Sequence, residues 1–265
     1  MLTMVRHLRW AHVAGGFLSA LRRQRSLLGV MLVLAVMPVA FRMDPQNFAI
    51  FTDSRIWRFL GLGVLLVVFA SVVSVLLSLP LAIAFALGRL SSKGWVRWPS
   101  IGYVESIRAL PLLLVIFYIF LKIPPQLPHL FNRETIALIA ALTIYTAAVN
   151  AELFRAGILS LERGQTEAAR SLGMSYWQSM RYIILPQTFL RVFPPLIAQF
   201  TTLLKDTSLG SIIGMVELLQ RGKIIFQGYR NPMETLYIVA IIYFVLNFVL
   251  EQVSLAVERS AEVSR

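Results

Sequence analysis

Apolar residues in this chain concentrate in long runs of about the length that crosses a membrane, a few of them interrupted by charge. Six runs approach the about 20 residues that cross a hydrocarbon core about 30 Å thick. They are Leu27–Phe41, Phe59–Leu87, Ser100–Leu121, Thr135–Asn150, Val192–Gly214 and Thr235–Leu255. This pattern predicts an all-α membrane protein with six transmembrane helices, because only helices and closed barrels satisfy their backbone inside lipid. The first run is short. Following Arg22, Arg23 and Arg25 it also resembles the apolar part of a signal peptide, but 26 residues precede it and Pro38-Val39-Ala40 makes a poor cleavage site, so an uncleaved span is expected. Cleavage there would leave five spans. The second run is about 43 Å long as a straight helix, so it must tilt, kink near Pro80 or project from the bilayer.

Composition agrees: 57% of the 265 residues are apolar and 14% charged, against about 25% charged in soluble domains. Lys and Arg total 25 against 13 acids, a net charge of +12. A basic chain suggests nucleic acid, but in a membrane protein the excess first reports topology. Arg6, Arg9, Arg22, Arg23 and Arg25 precede the first run, and Arg89, Lys93 and Arg97 follow the second. Arg155, Arg163, Arg170, Arg181 and Arg191 lie between the fourth and fifth, and Arg259 and Arg265 in the tail. The intervening segments hold only Arg42, Arg55 and Arg58, then Lys122 and Arg133, then Arg221, Lys223 and Arg230. The richer segments are therefore expected in the cytoplasm with both termini, and no nucleic-acid partner is needed to explain the charge. With no cysteine, disulfides, thiolate chemistry and Cys-ligated metal are excluded, and His7, His12 and His129 all fall outside the apolar runs. The longest polar segment is too short for its own core, and no Gly-x-x-x-x-Gly-Lys-Ser/Thr phosphate loop occurs. Catalytic residues, metal ligands and a cofactor are thus expected to be absent, and energy from nucleotide must enter through another polypeptide.

The segment 164–187 reads GQTEAARSLGMSYWQSMRYIILPQ. Thr166 suits an N-cap, Glu167 the positive end of a helix, Gly173 a left-handed terminating position, and Pro186 stops the next run. The expectation is a short helix, a turn and a second short helix, either a contact element for a partner or an interfacial connector. Glu167, Ala168, Ala169, Gly173, Ile183, Leu185 and Pro186 match, without a gap, the Glu-Ala-Ala signature of ABC importer permeases. Glu105-Ser-Ile-Arg-Ala-Leu-Pro111, Ala151-Glu-Leu-Phe-Arg-Ala-Gly-Ile158 and Lys205-Asp-Thr-Ser-Leu209 extend the likeness. The chain resembles the polar amino-acid group of these permeases (histidine, arginine, glutamine, glutamate), most closely the glutamate/aspartate type.

The resemblance implies a five-helix type I importer core over 59–265 plus one extra N-terminal helix in 1–58, and a cytoplasmic coupling helix between spans four and five. Glu167, Ala168, Ala169 and Gly173 would meet a cytoplasmic ABC ATPase dimer, with Arg163 and Arg170 beside them. ATP and Mg would be bound by that ATPase. A second permease subunit, identical or homologous, and an extracytoplasmic solute-binding protein complete the implied assembly in the bacterial inner membrane.

Charges inside spans are costly and therefore mark function. Glu105 and Arg108, three apart on one helix face, are expected to pair as a structural ion pair near the cytoplasmic end. Lys205 and Asp206 point about 100° apart and each needs a partner elsewhere. Tyr145, Asn150, Glu152, Lys205, Asp206, Thr207 and Ser208 offer groups to the ammonium and carboxylate of an amino acid and are candidates for the substrate pathway. Pro80, Pro111, Pro194 and Pro195 are candidate hinges. Trp57, Trp95, Trp98 and Trp177 read as interfacial anchors, and 216–229 as a short outer helix or a surface connection. The expected function is the permease of an ATP-driven importer of acidic or polar amino acids. A permease for basic amino acids and an ion-coupled secondary transporter are the alternatives, the latter lacking the internal repeats such carriers show.

Overall fold

The computed structural model describes residues 29, 32–33, 36–124 and 132–263, apart from the side chains of 163, 166 and 254–263. Most of the expected first span, the basic N-terminus, the three histidines and Arg265 lie outside the described residues. All regular structure among the described residues is helical. A 3-10 turn at Pro45–Thr52 leads into α1 (Ser54–Leu90), followed by α2 (Gly94–Ala109), α3 (Leu112–Lys122) and α4 (Arg133–Leu159). A short α5 (Arg163–Ser171) precedes the long α6 (Tyr176–Ile213), then α7 (Leu218–Tyr229) and α8 (Pro232–Val263).

Four helices, α1, α4, α6 and α8, are long and apolar enough to cross a membrane, and α2 with α3 makes a fifth span if the bent pair counts as one. The expected third span is therefore not one rod: it breaks by 106° between α2 and α3. Pro111 is the cause. It removes a backbone donor and excludes the α conformation from Leu110, whose ψ is 140°. Pro80, by contrast, sits inside a continuous α1 of 37 residues, about 55 Å long and well beyond its apolar run. Pro186 does not stop its run either. A π turn at Met180–Ile184 precedes it, in which the Leu185 N–H donates to the Met180 carbonyl five residues back, and the α-helix resumes through Pro186 to Asp206.

The bundle is built around α1 against α4, and their facing residues are small. Ala70, Ser71, Ser74, Ser78, Ala82 and Ala86 on α1 meet a face of α4 that includes Ala137, Ala141, Ala147, Ala148 and Ala151, all buried. Ser74 Oγ donates to the Ile139 carbonyl, and Asn150 Nδ2 reaches Ser78 Oγ at 3.5 Å. Leu62, Leu65, Leu76 and Leu77 cover other faces of α1 and stay exposed in the isolated chain, as lipid-facing side chains do.

Helix α7 is wedged between α1 and α8. A Cβ on Gly63 would lie 2.8 Å from the Leu218 Cα, and one on Gly222 would lie 2.7 Å from Val239 Cγ2. Glu217 caps α7 by accepting the Leu219 and Gln220 N–H groups at 2.8 Å each, and accepts the Tyr243 hydroxyl of α8 at 3.0 Å. Burial pushes its carboxyl up from the ordinary range, opposed by those three donors and by Lys223. The segment 216–229 is thus part of the packed bundle rather than a loose connection. Nearby, Glu234 at the start of α8 accepts the Asp44 N–H and Asn47 Nδ2, strapping the 3-10 turn onto the same end.

The two glycines near the start of α1 separate packing from propensity. Gly61→Ala meets nothing within 4 Å and should leave stability unchanged or raise it by about 0.5–1 kcal/mol. Gly63→Ala must push the α7 backbone and should lower stability by about 1–3 kcal/mol. Thermal unfolding of the two variants in detergent measures the difference; equal melting temperatures contradict the wedge.

Candidate functional site: an exposed loop and a polar cleft

At the end of the bundle where α1 and α4 finish, α5 hangs from α4 by the three residues 160–162. Leu161, Met180 and Ile184 pack there with Leu87 of α1 and Ile158 of α4. Arg191 of α6 donates to the Ser160 carbonyl at 2.6 Å, fixing the junction. Helix α5 begins at Arg163 after Glu162, so Thr166 lies within the helix and is not its N-cap. The end is as expected: Gly173 has φ +75°, its N–H donates to Arg170, and the Met174 N–H donates to Ala169, both onto carbonyls of the last turn. Ser175 and Gln178 then form a reciprocal capping box that starts α6.

Glu167, Ala168 and Gly173 are exposed on this loop, whereas Ala169 is fully buried. Its methyl fills the inside of the turn and offers no surface to a partner. The prominent apolar group is instead Leu172, 80% exposed, with Tyr176, Trp177 and Tyr182 also uncovered. Leu172 carries no sequence signal of its own, because an exposed leucine is ordinary unless its neighbours place it on a projecting turn.

The charged residues pair differently from the sequence expectation. Among the described residues Glu105 pairs not with Arg108 but with Arg89 of α1, whose Nη2 stands 3.3 Å from its Oε1. The other arm of Arg89 holds Glu152 of α4 at 2.8 Å, and Glu152 also takes Arg155 one turn on. Glu152 is thereby committed to ion pairs and does not line the cleft described next.

That cleft, about 460 Å³, opens between the α2–α3 bend, α4 and α6. Pro111, Leu112, Leu113, Val149 and Leu209 give it apolar walls, and Tyr145, Gln199, Thr202 and Asp206 its polar groups. Of the expected pathway residues, Tyr145 and Asp206 are brought together here. Asn150 is buried against Ser78, with Oδ1 unpaired, and Thr207 is buried with its hydroxyl on the Leu204 carbonyl. The Ser208 hydroxyl donates to the Lys205 carbonyl, and Lys205 is exposed outside the cleft lining. Gln199 and Thr202 are additions. They share a face of α6 with Asp206 through three- and four-residue spacing, a pattern visible in the sequence once Asp206 is placed in a pathway.

A bundle with a bent span, a polar cleft beside the bend and an exposed helical loop can pass a small polar solute if the loop is moved by another protein. The glutamate transport system permease protein GluD of Corynebacterium glutamicum is 34% identical over 230 residues, covering 84% of this chain and 83% of that relative. The probable glutamine ABC transporter permease protein GlnP of Bacillus subtilis is 43% identical over 161 residues, 59% of this chain and 71% of that relative. A chain in the crystal structure of an amino acid ABC transporter with histidines superposes with a TM-score of 0.71 at 29% identity, covering 82% of this chain and 99% of its own. Residues 78–263 match the model of the binding-protein-dependent transport system inner membrane components, and this chain belongs to that family.

Proposed function

We propose that the chain is the transmembrane permease subunit of an ATP-driven importer for acidic and amide amino acids, glutamate and glutamine foremost. The relationship to glutamate and glutamine permeases across most of the chain carries the reading. In it, the α5 end faces the cytoplasm of a bacterial cell and meets a separate ABC ATPase dimer, which holds ATP and Mg. Both termini lie on that side. A second permease subunit completes the two-fold match to the ATPases, and a solute-binding protein delivers substrate at the opposite end, where α7 and the 3-10 strap lie. Glu167, Ala168, Leu172 and the Gly173 turn form the contact with the ATPase, Ala169 supporting it from inside. In the cleft, Asp206 receives the substrate ammonium while Gln199, Thr202 and Tyr145 offer hydrogen bonds to its other polar groups. The membrane positions of α1, α4, α6, α8 and the bent pair let the cleft alternate between the two sides as ATPase closure moves α5.

Three outcomes follow. Uptake of labelled glutamate or glutamine into vesicles needs ATP on the α5 side and the solute-binding protein on the other; uptake driven by an ion gradient alone contradicts the reading. Gly173→Val places a β-branched residue at φ +75°, a strain of about 1–2 kcal/mol, and should weaken co-purification with the ATPase about five- to thirtyfold. Wild-type recovery would remove the turn from the contact. Asp206→Leu should lower substrate-stimulated ATP hydrolysis about tenfold, as expected for losing about 1.4 kcal/mol at the cleft, with assembly intact. Full stimulation in that variant would exclude Asp206 from the substrate path.

A further inference from the structure

Arg89 is the one guanidinium among the described residues that bridges two carboxylates on two other helices. It stands near the end of α1, 12% exposed, with Glu152 of α4 on one arm and Glu105 of α2 on the other. The two contacts are unequal. Glu152 is 26% exposed, held at 2.8 Å and further fixed by Arg155, whereas Glu105 is 63% exposed and reached at 3.3 Å. A half-buried, doubly bonded carboxylate costs much to release, while an exposed single pair exchanges readily with water.

The two carboxylates also lie on different mechanical parts. Glu152 is seven residues from the end of α4, which carries α5 directly. Glu105 is on α2, which leads within six residues to the break at Leu110–Pro111, and Pro111, Leu112 and Leu113 form a wall of the cleft. Helix α2 is also seated on α1 and α4 by close contact of Ser100 with Gly88, by Val104 among Ala82, Ala86, Ala151 and Phe154, and by Tyr103, which stacks on Phe85 at 4.0 Å and donates to the Ile144 carbonyl at 2.7 Å. These contacts all lie on the N-terminal side of Glu105, further from the bend. The charged bridge at Glu105 stands nearer than any of them to the Leu110–Pro111 break.

We infer that Arg89 is a positioning residue that works as a coupling clamp: it stays on Glu152 of α4 and makes or releases Glu105 of α2, so that displacement of α5 reaches the Leu110–Pro111 bend. The inference rests on the proposed role of α5 as the element that an ATPase moves. It accounts for an arginine whose two arms are needed at once, which a lysine point charge cannot replace. It also gives Glu105 a function despite its exposure, and it leaves Arg108, expected to be its partner, outside the bridge.

The test compares Glu105→Gln, Arg89→Lys, their combination and Glu105→Asp in the complete importer reconstituted in liposomes with its ATPase and solute-binding protein. The readout is ATP hydrolysed per labelled glutamate taken up. Each single variant should raise that ratio about two- to fivefold, the range an exposed pair can supply. The double variant should be no worse than Arg89→Lys, and Glu105→Asp should recover most of the coupling. Complex yield and melting temperature of Glu105→Gln should match wild type. Unchanged ratios in both single variants, or additive effects in the double, overturn the clamp. A second readout needs no substrate: nitroxides on cysteines introduced as Ser106→Cys and Leu159→Cys, in a chain with no other cysteine. The distance distribution should be narrow in the parent and broadened by Glu105→Gln and by Arg89→Lys; identical distributions overturn the clamp. If the wild-type complex moves neither glutamate nor glutamine with ATP, the functional reading falls and the nitroxide result alone judges the clamp.

Discussion

Close approach of α1 and α4 is the constraint on which the other features depend. In lipid the hydrophobic effect does not drive helices together, since hydrocarbon is as apolar as leucine, so contact must come from packing and from hydrogen bonds. The alanines and serines of the α1 face let the backbones approach, and Ser74 and Asn150 add polar contacts across the seam. Four of the other helices pack directly on this pair. Helix α7 packs on α1 at Gly63, α2 on α1 at Gly88, α3 on α4, and α6 on both. A larger residue anywhere along the seam would move several of these elements at once.

The seam explains how two parts with opposite requirements share one small bundle. In the proposed importer the loop around α5 is pushed by an ATPase and has to be firm, and it is tied to the ends of α1, α4 and α6 by the Leu161 cluster and by Arg191 on Ser160. The proposed substrate cleft has to change shape, and it is bordered by the one bent span among the described residues, at Leu110–Pro111, and by the end of α6 where α-helix gives way to 3-10 turns at Thr207. Firm and yielding regions are joined through α4, which carries Tyr145 and Val149 to the cleft and Glu152 and Arg155 to the charged cluster.

Much of this was legible in the sequence. Apolar run length located the helices, and the ordered matches around Glu167 and Gly173 named the family. What was hidden has a common physical origin: in a membrane both faces of a helix are apolar, so hydrophobic periodicity does not show which face is buried. Residue size along α1 shows it. Pro111 was visible as a candidate hinge, yet the run crossing it looked like one span because composition is blind to a bend. The Glu105 partner was missed because spacing rules see only neighbours on the same helix, and Arg89 is on another. Thr166 lost the cap position because α5 starts earlier, and Ala169 is buried because a nine-residue helix held against the bundle has an inside.

In the proposed transport cycle α1 and α4 stay together as a spine while the elements around them move. Ser78→Cys and Asn150→Cys in this cysteine-free chain place two thiols where the parent side chains already meet. ATP-dependent glutamate uptake by this variant, measured before and after oxidation with a membrane-permeant copper–phenanthroline complex, distinguishes a fixed seam from one that opens. If the seam never opens, uptake should be the same in the disulfide-locked and reduced forms. Loss of uptake on oxidation that is restored by reduction would show that α1 and α4 must separate during transport and are not a spine.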